Sequence, residues 1–282
     1  MRFDLQQIAV PFRMRPDLRR LDADARHLQA LEPDSALYHE KLQVSRAARA
    51  QHAAPGFDAG PAIDAIWRQA RSDGIQLPDT PTARMELVLQ QDLAVLDLAS
   101  ASVAWMCVCV PSGWAPEEKI GLGLTAIHAP VADSKALASR WHPLARLLTG
   151  GGHWERHVWT IGPSQRFDQH PWRQAPAPWP ADDDPAAFAS QCYLRSERQT
   201  FFPVRDRDGA PIAQAVFAIT VDLQPLTEAV RDAADAARLQ QALASMSDAV
   251  LAYKRLGAAR APLLAWLASR ASPDAPAPSQ SV

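Results

Sequence analysis

Two long runs of strand-forming residues, Cys192–Val204 and Pro211–Leu223, flank the five residues Arg205-Asp206-Arg207-Asp208-Gly209. An Asp-Gly step between such runs is a strong hairpin signal, because glycine reaches positive φ without a steric penalty. No other feature constrains the fold as much. It demands an antiparallel sheet and argues against the strand–helix alternation of a doubly wound fold. Ser102–Val110, with Val103, Trp105, Met106, Val108 and Val110, reads as a further strand, and so does His153–Ile161. The spacing of Met85–Leu96 fits a helix end or an extended segment equally well.

Helical patterns lie on both sides of these strands. Asp34-Ser35 caps a predicted helix over Ala36–Ala50, with Leu37, Leu42 and Val44 on its apolar stripe. A turn-rich break at Ala53–Gly60 leads to Pro61–Ser72, and a second break spans Gln76–Thr82. Lys119–Ala132 reads as a loop with short helical pieces. Ser134–Leu148 reads as a helix carrying Leu137, Trp141, Leu144 and Leu148, ended by Gly150. Proline-rich Phe167–Pro185 is a predicted loop, and the chain after Pro225 is helical to about Arg270. The fold class is therefore α+β, an antiparallel sheet with flanking N- and C-terminal helices. The expected organisation is an N-terminal helical segment over 1–84, a core over 85–225, helices over 226–270 and a disordered tail over 271–282.

The 29 basic and 31 acidic residues nearly balance, which removes the electrostatic footprint of a general nucleic-acid binder. Cys107, Cys109 and Cys192 are the 3 cysteines, too few for a disulfide framework or a four-thiolate iron–sulfur cluster, and they fit a reducing cytoplasm. Met1–Arg20 is too rich in charge to read as a secretory signal. Leu93–Val110 is interrupted by Asp97 and falls short of the roughly 20 apolar residues that a membrane helix needs.

Most short motifs have ordinary explanations. Gly121-Leu122-Gly123-Leu124-Thr125-Ala126 matches a loose dinucleotide fingerprint, but Glu117-Glu118-Lys119 precedes it where an apolar strand belongs, and Pro130 follows it closely. Cys107 and Cys109 share one strand face, and core packing explains them better than a metal does. His153 and His157 also share a strand face, with the spacing of a weak metal pair. His128 sits in the apolar Ala126-Ile127-His128-Ala129-Pro130-Val131. Such a histidine is more often a core residue than a ligand, yet a neutral imidazole on an apolar wall is also what a haem iron requires. Within Glu197-Arg198-Gln199-Thr200, alternation sends Glu197 and Gln199 to one face and Arg198 and Thr200 to the other. The ordinary reading of that run is a solvated strand edge with a cross-strand ion pair.

Five stretches taken together resemble the alpha-subunit family of haem-dependent oxidative N-demethylase. They are Pro11-Phe12-Arg13-Met14-Arg15-Pro16, Pro111-Ser112-Gly113-Trp114 with Glu118-Lys119-Ile120-Gly121, Ala126–Val131, Leu194–Thr200, and Tyr253-Lys254-Arg255-Leu256. The resemblance implies a PAS-like haem domain, in which two strands, a helical stretch and three more strands wrap the cofactor. It implies His128 as the axial ligand of the iron, in a haem b held without covalent attachment, since no Cys-x-x-Cys-His is present. Trp114 and Lys119 fall among the implied cofactor-binding residues, and Glu197, Arg198, Gln199 and Thr200 among the implied catalytic ones. The implied activity is oxygen-dependent demethylation of a small secondary amine, with electrons from a separate reductase subunit carrying flavin and a 2Fe-2S cluster. The sequence departs from the family pattern at Ala132, at Ser134 and in Gln90-Gln91-Asp92.

Two function classes follow. One is a haem monooxygenase subunit with a small amine and O2 as substrates. The other is a non-catalytic PAS-like module that holds haem as a sensor, or serves as a scaffold. Neither calls for nucleic acid or membrane, and fold alone does not separate them.

Overall fold

The computed structural model describes residues 3–15, 17–22, 24–78, 84–127, 129 and 141–272. Its centre is one seven-stranded, wholly antiparallel sheet, with strands β1 (Arg19–Arg20), β2 (Gln51–Ala53), β3 (Asp92–Asp97), β4 (Ser102–Cys107), β5 (Trp154–Gly162), β6 (Tyr193–Arg205) and β7 (Pro211–Pro225). The order across the sheet is β1-β5-β6-β7-β3-β4-β2. The hairpin expected at Asp208-Gly209 joins β6 to β7. Asp206 closes its turn, accepting from the backbone N–H of Asp208 at 3.0 Å and of Ala210 at 2.8 Å, while Gly209 takes a φ of +84°. All four expected strands lie in this one sheet.

β3 resolves the open reading of Met85–Leu96. Met85–Val88 is a helical turn (α3 below), and the chain becomes extended from Asp92. This strand lies between β7 and β4 and is buried almost throughout, so its sequence shows a continuous apolar run and no alternation. The two-residue β1 and three-residue β2 are edge strands too short to leave a pattern.

The helices are α1 (Ala36–Arg46), α2 (Gly60–Ser72), α3 (Met85–Val88), α4 (Leu124–Ile127), α5 (Trp141–Thr149), α6 (Pro185–Ser190), α7 (Leu226–Ala229), α8 (Ala233–Ala244), α9 (Asp248–Tyr253) and α10 (Arg260–Ala271). Ser35 caps α1 through its hydroxyl, as expected, but α1 stops at Arg46. The N-terminal half of the predicted Ser134–Leu148 helix lies outside the described residues, as does His128; α5 is its C-terminal part.

Three apolar clusters organise the packing. On one face of the sheet, Trp154, Phe201, Phe217, Ala94 and Met106 stand in register across five strands, and Phe201 stacks on Phe217 at 4.6 Å. Ile127 of α4, Leu144 and Leu148 of α5, and Trp114 and Ile120 pack on this face. On the other face, Phe202, Val216, Val95 and Trp105 meet Leu37 and Val44 of α1 and Ala62 and Ile66 of α2. The third cluster joins Trp159, Ile161 and Leu194 to the C-terminal helices and to Leu5 and Ile8, so the two ends of the chain meet there. Beneath α1, Lys41 and Asp92 form a wholly buried ion pair at 3.0 Å. Burial opposes the Lys41 charge, but the adjacent Asp92 carboxylate outweighs it and lifts the pKa above the ordinary lysine value.

Candidate functional site

Alternation along β6 puts Arg195, Glu197, Gln199 and Phe201 on one face. In register beside them on β5 stand Thr160, Val158, Arg156 and Trp154. The polar part of this row continues the apolar wall formed by Phe201, Phe217, Ile127 and Leu148.

Two arginine-headed relays converge on Glu197. In the first, Arg195 Nε–H donates to Ser112 Oγ at 2.7 Å, and Ser112 donates its own proton to Glu197 Oε1. Because the arginine already occupies the hydroxyl as an acceptor, the Ser112 O–H is directed at the carboxylate. In the second, Arg156 Nε–H donates to Gln199 Oε1 at 2.6 Å, which fixes the amide so that Nε2 donates to Glu197 Oε2 at 2.6 Å. Each carboxylate oxygen thus accepts one bond from a neutral donor, and about half of the carboxylate's lone-pair capacity stays open. Burial lowers the pKa of both Arg156 and Arg195, and Glu197 is the first charge working against that shift.

The loop holding Ser112 is braced from behind. Arg195 also donates to the carbonyls of Val110 and Phe167, both at 2.9 Å. Glu40 accepts from the backbone N–H of Phe167 and Asp168, Arg173 pairs with Asp168 at 3.0 Å, and His170 meets Glu117 at 2.9 Å. Trp114 of the same loop packs on the Phe201 wall, and Lys119 lies half-buried at the end of the short 3-10 turn Pro116–Glu118.

A third group of residues approaches from the chain ends. Lys254 Nζ donates to the Trp159 carbonyl at 2.6 Å and stands 5.3 Å from the Phe12 ring centroid and 5.5 Å from that of Trp159. Burial pulls the Lys254 pKa down to about 8, opposed by Glu197. Burial and then Glu197 raise the pKa of Tyr253. Two of the five stretches that carry the resemblance therefore meet at Glu197, through Ser112 and Glu197 itself, and two others meet each other at Trp159, through Phe12 and Lys254.

Arg198 and Thr200 lie on the opposite face, as alternation requires. Arg198 Nε donates to Glu155 at 2.7 Å, and Arg19 Nε donates to the other oxygen of the same carboxylate at 2.7 Å. The Thr200 hydroxyl is buried without a partner. Nearby, His153 Nδ1 lies 2.7 Å from His27 Nε2, so His153 pairs with a histidine from another segment. Among the described residues no group of three or more His, Cys, Asp or Glu is arranged to hold a metal ion. Cys107 and Cys109 are buried core residues whose thiol pKa values are pushed up by burial. The Gly121–Gly123 stretch follows β4, with Gly121 N–H bonded to the Val103 carbonyl at 2.8 Å, and opens no nucleotide loop.

Sequence reasoning assigned no part to Arg156, Arg195 or Ser112. Trp154-Glu155-Arg156-His157 carries charge on both faces of its strand, so only the register Arg156↔Gln199 reveals which charge meets Glu197. As a test of fit to a haem, the wall is apolar and covered by α4, α5 and Trp114, and among the described residues the Nε1 of Trp154 is buried without a partner. Among the described residues Arg156 makes its side-chain hydrogen bond through Nε alone, which leaves its two terminal nitrogens for an anionic group. An apolar face with unused donors at its rim suits a porphyrin carrying propionates. Among the described residues no helix is long and apolar enough to cross a membrane. No curated protein matches the chain. The family model for haem-dependent oxidative N-demethylase, alpha subunit-like, matches residues 68–264, and the chain belongs to that family.

Proposed function

We propose that this chain is the haem-binding, oxygen-activating subunit of an oxidative N-demethylase acting on a small secondary amine, with electrons drawn from a separate reductase subunit. The observation that carries the reading is Glu197 as the common acceptor of two relays. Among the described residues this half-buried carboxylate receives only neutral donors, which leaves lone pairs open to a cation, and an alkylammonium is a small cation with N–H donors. The sheet order, two strands, a helical stretch and three strands, supports a PAS-like core.

His128 is the residue proposed to hold the haem iron. It follows Ile127 directly in the sequence, and Ile127 packs on the Phe201 wall. Arg156 would hold a propionate, and Trp114 and Lys119 would contribute to holding the cofactor. When bound, the haem b supplies the iron at which oxygen is activated. Glu197 then anchors the ammonium, Gln199 and Ser112 hold the carboxylate in place, and the apolar wall keeps water from the reacting carbon. Arg198 and Thr200 act through the sheet, from the other face. Flavin and the iron–sulfur cluster belong to the partner, and the cytoplasm is the proposed compartment.

The test is an absorbance titration of the purified chain with haem, then with dimethylammonium chloride, followed by NADH-linked oxygen uptake with a reductase. Glu197→Gln is expected to retain haem and lose amine affinity by tenfold or more, about 1.4 kcal/mol. Haem binding that no amine perturbs overturns the enzyme reading in favour of a sensor.

A further inference from the structure

We infer that the cleft between α2 and the β6–β7 hairpin is a binding site for a nucleoside phosphate, separate from the Glu197 site and independent of the amine reading. It lies beside α2, which packs on the sheet face opposite Glu197.

Helix α2 builds one wall. Its Ala62, Ala65, Ile66 and Ala70 are buried, which leaves Pro61, Asp64, Trp67, Arg68 and Arg71 as a stripe at three- and four-residue spacing along the cleft. The facing wall is the end of β6 with its turn, Arg205, Asp206 and Arg207, and Ile212 near the start of β7. Arg68 ties the two walls together, its Nη2 donating to the Arg205 carbonyl at 2.9 Å. Arg205 is itself held, with Nη1 donating to the Gly209 carbonyl at 2.8 Å and Nη2 to that of Gly151 at 3.3 Å. The cleft between these walls has a volume of about 850 Å³, within the range of small-molecule sites.

Its lining is divided by chemistry. Trp67, Leu77 and Ile212 pack in part against the apolar cluster beneath α1 and α2, and their remaining surface gives the cleft an apolar floor. Four guanidinium groups stand around it, on Arg68, Arg71, Arg205 and Arg207, against three carboxylates. Two of those carboxylates close turns: Asp58 accepts the Gly60 N–H at 2.9 Å, and Asp206 closes the hairpin. Arg71, Arg207 and Asp64 are exposed and make no hydrogen bond or ion pair among the described residues. Guanidinium forks match the oxygens of a phosphate. An indole accepts any nucleobase by stacking, and a free carboxylate accepts the hydroxyl protons of a ribose. An inorganic anion would leave the floor bare, and an apolar ligand would leave the arginines unmatched. A nucleoside phosphate uses floor, cations and carboxylate together.

The experiment is calorimetric titration of the full chain with magnesium-free ADP, and separately with adenosine and with inorganic pyrophosphate. ADP is expected to saturate a single site, with adenosine and pyrophosphate each weaker by about tenfold or more. The double variant Arg71→Gln, Arg207→Gln changes side chains that the fold does not use. It is expected to weaken ADP and pyrophosphate by about tenfold and to leave adenosine unchanged. Trp67→Leu is expected to weaken ADP on the order of tenfold and to leave pyrophosphate unchanged. Should Trp67→Leu not fold, the arginine variant decides alone, and an unchanged ADP affinity in it overturns the inference. Pyrophosphate that binds as tightly as ADP to wild type reduces the cleft to an unspecific anion site and overturns it as well. So does an absence of ADP binding, and an oligoglutamate peptide bound in its place would make the cleft a docking surface for an acidic protein segment. None of these results touches the dimethylammonium titration, so failure here leaves the amine reading standing.

Discussion

Glu155 and Glu197 are strand carboxylates on opposite faces of the same β5–β6 ladder, and their surroundings differ in kind. Glu155 is clamped directly by two guanidinium groups, Arg198 and Arg19, one to each oxygen. Burial alone would raise its pKa, but the two arginines outweigh that and hold it below the ordinary carboxylate value. Glu197 has two arginines as well, yet each stands one residue back, behind Ser112 or Gln199. Direct pairing with two guanidinium groups neutralises the Glu155 charge and makes it structural. A relay of neutral donors orients Glu197 and leaves its charge for something that is not part of the chain. The distance of the arginines, more than their number, separates a brace from a site.

Glu155→Gln gives the largest effect, because it leaves Arg198 and the half-exposed Arg19 without their anion. A loss of about 2–3 kcal/mol is expected, at the lower end of buried-pair values given the exposure of Arg19, and is read from the urea midpoint. Glu197→Gln should cost under about 1 kcal/mol by the same measure, since Ser112 and Gln199 are neutral partners. Equal losses in the two variants would erase the distinction.

Acid titration sharpens the comparison further. His27, buried beside His153 on the Glu155 face, is held neutral down to about 3, chiefly by burial and then by the neighbouring His153 and Arg198. Its folded value lies below its ordinary 6.5, so its contribution is complete above that pH and is lost as pH falls towards 3. Glu155, also depressed, adds its loss only below its ordinary 4.5. Stability should therefore begin to fall near pH 6, and His27→Gln should flatten the upper part of that decline. An unchanged profile in His27→Gln would remove this histidine from the acid response.

Smaller effects belong to the relays. Gln199→Leu strips Arg156 Nε of its acceptor and Glu197 of a donor, with about 1–2 kcal/mol of stability and a severalfold loss of amine affinity expected. Ser112→Ala should cost about 1 kcal/mol, through the buried Arg195, and weaken amine binding less. If Ser112→Ala weakens binding more than Gln199→Leu, the ranking of the two relays is reversed.

Much of this arrangement was legible before any fold was known. The Asp208-Gly209 turn announced the β6–β7 hairpin, Ser35 announced the start of α1, and the alternation of Glu197 with Arg198 separated the two faces. β3 was not legible, because a strand buried on both faces loses the alternation that would reveal it. Nor was Arg156, whose neighbours in sequence offer charges to both faces.

What the amino-acid sequence determined by itself are the features carried by neighbouring residues: turns, caps, strand alternation, and the short stretches that mark the family. These depend on backbone conformation and side-chain period, both set within a few residues. Tertiary structure alone decided which carboxylate became a brace and which an open acceptor. That outcome rests on the register of β5 against β6 and on the arrival of Ser112 at Glu197 and of Arg19 at Glu155 from segments far apart in the chain. A hydrogen bond acts over about 3 Å. Its partners are therefore chosen by how the sheet closes, and no local pattern in the sequence encodes that.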